Sequence, residues 1–354
     1  MDKEKSLKNT NLIKMILMIT IVFYHSIIFM NGTWFTAVSV KPVSWISYPT
    51  VYLNSFLVYA FTFISGYIFY YLKNEKQSYS SYKEFALKKV KRLLIPYLVF
   101  TFLWALPMDI ALYGFDFSMI LHNFILGESP EQLWFLLMLF LVFLLFYPLA
   151  DFFKKKWTIL IAVSCYLISI VGTKYIGNYF QVMSVFRYIT FFYFGYAMRQ
   201  YLEDKIKPNS FWIWALISVA FYVTYCFAKK GEGTLLELTK LGLFFVTEVA
   251  GVLMIWTLFQ FLFRKVEYQN SKFVKFLTER SMIVYLLHQQ FIYLTVFFLY
   301  DKINVFVLGL LNFVVSIIIS LLLSSLLLLT NPTRFIVGEK KLLKAQCESL
   351  DISK

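Results

Sequence analysis

A chain of 354 residues that is 60% hydrophobic, 21% aromatic and only 15% charged, with a mean hydropathy of +0.67, is too apolar for an ordinary globular domain, which holds about 45–50% apolar residues. The formal charge of +14 does not point to nucleic acid, because the cations cluster between long apolar runs as they do in membrane loops. Cys165 and Cys226 lie inside apolar runs and Cys347 in the tail, so neither a metal-ligand spacing nor a disulfide framework is present.

In chain order, Lys3, Lys5 and Lys8 precede a first apolar run that has no small-residue cleavage site, and this run reads as a retained spanning helix. Ten stretches have the ~17–25 residues a bilayer crossing needs, near 12–30, 51–72, 93–113, 133–153, 157–174, 183–201, 211–228, 235–263, 281–300 and 303–330. The predicted fold is an all-α polytopic membrane protein, a single bundle of about ten transmembrane helices. An even number of crossings puts both termini on one side. With that side cytoplasmic, Lys and Arg number 26 on the inward segments and 5 on the outward loops, which sets the orientation. Residues 1–332 form the membrane domain and 333–354 a basic cytoplasmic tail. No internal repeat is visible.

The first helix carries Lys14 and His25. Eleven helical steps advance about 1,100°, so both side chains share one face and stand about 16 Å apart along the axis. Titratable groups inside a bilayer are costly and usually functional, and an imidazole takes a proton from a hydroxyl near neutral pH. Lys14 also has the reach to snorkel to the interface. The second helix holds Phe61 to Tyr67, in which Ser65 and Gly66 permit close helix packing. The loop after it ends in Lys88-Lys89-Val90-Lys91-Arg92, a run suited to anionic head groups or to a nucleotide phosphate. Gln132-Leu133-Trp134-Phe135 opens the fourth helix, where Trp134 has the place of an interfacial anchor. Glu248 sits mid-membrane in the eighth helix and needs a partner or a polar cavity. Asp109 lies nearer a helix end. The ninth helix holds a second polar cluster, Tyr285-Leu286-Leu287-His288-Gln289-Gln290.

In this order, these motifs resemble the acyltransferase-3 family of integral membrane acyltransferases over nearly the whole chain. Lys14-x10-His25 is similar to its Arg/Lys-x10-His signature, Phe61 to Tyr67 to its aromatic Ser-Gly element, and Lys88 to Tyr97 to its basic loop. Leu133 to Leu136 and Tyr285 to His288 look like two further landmarks of the family. The basic run is lysine-rich here, so a bidentate guanidinium is available only at Arg92.

The resemblance implies a multi-pass protein of the bacterial cytoplasmic membrane. It would transfer an acyl group, commonly acetyl, from cytosolic acyl-CoA to a hydroxyl of a cell-surface polysaccharide or its lipid-linked glycan precursor. His25 is then the expected general base. Lys14 and Lys88, Lys91 and Arg92 are expected to hold the donor phosphates, and Ser65, Tyr285 and His288 to supply oxyanion donors. His25, Lys14 and His288 make up the expected catalytic set, while Gly66, Trp134 and Glu248 join the expected substrate contacts. No metal, tightly bound cofactor or nucleic acid is expected; the partners are acyl-CoA, the glycan acceptor and the bilayer. The chain carries no hydrolase-like extracytoplasmic domain, so transfer is expected to be direct. The competing class is an exporter or flippase for polysaccharide or lipid-linked sugar.

Overall fold

The computed structural model describes residues 3–263 and 271–341; Arg264, Lys265, Cys347 and the rest of the tail from 342 onward lie outside the described residues. The described residues are mostly helical and contain no β-strand. In chain order the long helices are α1 (Ser6–Asn31), α2 (Ser44–Glu75), α3 (Tyr82–Tyr113), α4 (Glu131–Leu149) and α5 (Lys156–Tyr175). Then come α6 (Val182–Ala197), α7 (Pro208–Ala228), α8 (Thr234–Leu262), α9 (Lys272–Lys302) and α10 (Val305–Leu327), and a short α11 (Asn331–Ile336) follows. All except α6 and α11 are long and apolar enough to cross a bilayer, nine helices among the described residues. The chain is an all-α polytopic membrane protein.

Helix α6 has a physical reason for standing apart. A wider π-type turn, Met198–Leu202, continues it, and the whole rod is about 31 Å long at 1.5 Å per residue. Arg187, Thr190, Tyr188, Tyr193, Tyr196 and Arg199 lower its hydropathy. From Tyr188 to Arg199 nearly every residue is buried, so the helix faces protein on most sides and can carry polar groups that a lipid-facing helix cannot.

The basic run also differs from expectation, because Lys88–Arg92 is helical and not the end of a loop. The helix begins at Tyr82, where the Ser81 hydroxyl accepts the Glu84 amide at 3.2 Å. Glu84 then pairs with Lys88 at 2.6 Å, one turn on. Two prolines inside α3 remove helix donors, and a π-type turn precedes each: Val90–Leu94 before Pro96, and Thr101–Ala105 before Pro107.

The described residues fall into two compact units, each discontinuous in sequence. One gathers Met1–Ser78, Leu149–Ile170 and Phe186–Ser281. Its core contains a glycine-mediated crossing of α2 and α6. A Cβ on Gly66 would meet the backbone carbonyl of Phe192, and one on Gly195 would meet that of Phe63. Membrane helices gain little from burying apolar surface against lipid, so such close backbone contact is a main source of their association. Arg199, counted above among loop cations, is instead buried in this unit. It grips Glu75 at 2.8 and 2.7 Å, Tyr67 at 2.8 Å and Glu203 at 3.1 Å, while the Tyr67 hydroxyl donates to Glu203 at 2.7 Å.

The other unit gathers Tyr79–Pro148, Val171–Val185 and Met282–Lys354. Tyr97, Phe100, Leu133, Leu136, Ile283 and Leu286 are central in its core, and Val337 at the end of α11 joins them. The boundary expected at 332/333 therefore falls inside α11, which packs as part of the helical body.

Candidate active site

His25 lies near the end of α1, and the helix is unbroken from Lys14 to His25, so the shared face inferred from spacing rests on a real helix. Both residues are half-buried. A tight turn follows. The Asn31 side chain accepts the amides of Thr33 at 2.9 Å and Trp34 at 3.1 Å, and Gly32 takes a left-handed φ of +75° against the Val40 carbonyl. This turn folds the chain back so that the Trp34 ring stacks on His25, with centroids 5.7 Å apart and planes 15° apart. Tyr24 is tilted against the same imidazole at 5.2 Å. The imidazole is thus flanked by two aromatic rings, which orient it through its faces.

The Ser65 hydroxyl donates to the Phe61 carbonyl at 2.9 Å, one turn back, and Gly66 is taken up by the crossing with α6. Glu248 is buried in α8 and accepts the Tyr166 hydroxyl at 2.7 Å. Tyr59, stacked on Tyr188 at 4.6 Å, also hydrogen-bonds to Glu248. The Arg187 guanidinium lies 5.9 Å from the Tyr166 ring centre and supplies the nearby positive charge. Glu248 therefore has the partner its position demanded.

In the second unit two of the motifs singled out in the sequence come together. Gln132, at the start of α4, donates to the Leu286 carbonyl and to Gln290 Oε1, both at 3.1 Å, and Gln290 returns a longer bond at 3.4 Å. Tyr285 donates its hydroxyl to the Gln132 carbonyl. His288 is fully buried, and its Nδ1 faces the carbonyls of Val284 at 3.1 Å and Tyr285 at 2.8 Å. Carbonyls only accept, so Nδ1 carries a proton and donates to them. Trp134, half-buried, meets Phe135 edge-on at 6.1 Å.

Beside this network lies a group the sequence did not single out. Glu131 accepts both the Gln289 amide and the Tyr293 hydroxyl, and these two donors are themselves 2.6 Å apart. Asp109, also buried, lies close to the same carboxyl. Glu131 also holds a left-handed φ of +49°, a strained state for a side-chain-bearing residue. Gln289 and Tyr293 are one turn apart on α9, and that i, i+4 spacing is the local signal that pointed here.

The basic residues lie in the same unit. Lys88 is tied to Glu84, and Lys91 is exposed. Arg92 donates to the Gly338 carbonyl at 2.9 Å and pairs with Glu339 at 2.5 Å. Among the contacts within each unit, Lys14 and His25 belong to one set of neighbours, and Tyr285, His288 and Trp134 to another.

A helical membrane protein with titratable side chains half-buried on its first helix and buried on its ninth has the parts of an intramembrane enzyme. A family model described as an acyltransferase domain matches residues 7–329, nearly the whole chain, which therefore belongs to the acyltransferase-3 family. Searches of curated proteins and of solved structures returned no match.

Proposed function

We propose that this protein transfers an acyl group, acetyl foremost, from cytosolic acyl-CoA to a hydroxyl of a cell-surface polysaccharide or its lipid-linked precursor. The observation that carries the reading is the Lys14–His25 pair on one unbroken helix inside the family-matched region. His25 acts as general base, removing the acceptor hydroxyl proton as the oxygen attacks the thioester carbonyl. The C–S bond then breaks, and the departing thiolate takes up a proton. Lys14, nearer the N-terminus on the same face, neutralises the donor's anionic part, and Lys88, Lys91 and Arg92 serve its phosphates. The cations of the N-terminal arm, Lys3, Lys5 and Lys8, support a cytoplasmic placement for that end.

Membranes containing the protein, given acetyl-CoA labelled on the acetyl group and isolated surface polysaccharide, should esterify the glycan, whereas membranes without it should not. Absence of transfer with acetyl, succinyl and longer acyl donors would defeat the reading. With Lys14→Ala, the KM for the donor should rise several-fold while kcat holds; an unchanged KM would remove Lys14 from the donor site.

A further inference from the structure

In the first unit a cavity of about 420 Å³ opens beside α6. Its wall is apolar along Phe191, Phe194, Met198 and Val252, but Lys156 and Lys205 stand at its edge, both exposed. None of its lining residues is acidic, and among the described residues neither lysine has an ion-pair partner. Glu203 is turned inward on Arg199 and Tyr67, while Asp204, next to Lys205 in the chain, is exposed and does not line the cavity. The hydroxyls of Tyr193 and Tyr201, also on the cavity wall, lie 3.0 Å apart.

The depth matches one leaflet. From Leu202 to Phe191 the lined stretch of α6 and its extension covers about 16 Å, roughly half of the ~30 Å hydrocarbon core. Trp157 and Trp212, both more than half exposed, mark the headgroup level beside Lys156 and at the start of α7. An apolar slot one leaflet deep, with two lysines and no acid in its lining, fits a chain with an anionic head.

We infer that this cavity seats one acyl chain of an anionic phospholipid, with the phosphate between Lys156 and Lys205 and one hydroxyl of the Tyr193–Tyr201 pair donating to the headgroup. The site is separate from the residues assigned to acyl transfer. The full-length protein in detergent, incubated with phosphatidylglycerol or phosphatidylcholine and examined by native mass spectrometry, tests it. Retention of phosphatidylglycerol should exceed that of phosphatidylcholine about thirtyfold, the selectivity two lysines provide beside an anionic headgroup. The K156Q/K205Q variant should bring that ratio close to one with an unchanged lipid-free melting temperature. Leu253→Trp, which fills the slot from α8, should lower retention of both lipids. An equal ratio in parent and K156Q/K205Q would overturn the inference, and so would inorganic phosphate raising the melting temperature as much as phosphatidylglycerol does.

Discussion

The two intramembrane histidines are held in opposite ways. His25 is half-buried between aromatic faces at the end of a helix, whereas His288 is enclosed, with one nitrogen committed to carbonyls of its own helix. Aromatic stacking orients a ring through its faces. A carbonyl-bound nitrogen fixes the tautomer and makes the ring part of the framework. Under the proposed function His25 carries the proton transfer, and the contrast poses the question whether His288 joins the chemistry or holds α9 and the Gln132–Gln290 network in register.

The strongest way to break this contrast is His25→Ala. Acyl transfer should fall by about 10²–10⁴-fold, the usual contribution of a general base, with melting temperature and membrane abundance unchanged. More than a tenth of the activity surviving would end the assignment. His288→Ala should instead lose stability, about 1–3 kcal/mol, with activity following folded protein. If that variant melts like the parent while transfer collapses, His288 does chemistry and the contrast fails. Gln132→Leu and Gln290→Leu, singly and together, sharpen the framework side: their effects on unfolding should be non-additive by about 0.5–3 kcal/mol, as expected of direct partners. The smallest effect belongs to Trp34→Ala. Removing the ring that stacks on His25 should lower kcat about two- to twelve-fold, matching a stacking contribution of ~0.5–1.5 kcal/mol, with little change in KM.

Much of this was legible in the sequence because it is local. The Lys14–His25 spacing, the length of α8 and the two polar motifs at 132–135 and 285–290 depend only on helical periodicity and hydropathy. What they touch is not local. Gln132 finds its acceptor 154 residues away, and nothing near either residue announces that partner. Arg199 was misplaced because a charge count cannot distinguish a loop cation from one enclosed by two glutamates. Glu131 escaped notice because an acid at a helix start is ordinary on dipole grounds, and only its fold neighbours make it unusual. Trp34 depended on the turn at Asn31 and Gly32, whose residues signal a reversal of the chain without naming what it delivers.

The crossing of Gly66 and Gly195 has a consequence for anyone redesigning this protein. Each glycine faces a main-chain oxygen of the opposite helix, not a side chain that could be trimmed to make room. A clash introduced at either position thus has no second-site suppressor at the point of contact, since no codon change removes a carbonyl. In a saturation library both positions should return glycine alone, and recovery of activity after mutation there would have to come from shifting a whole helix.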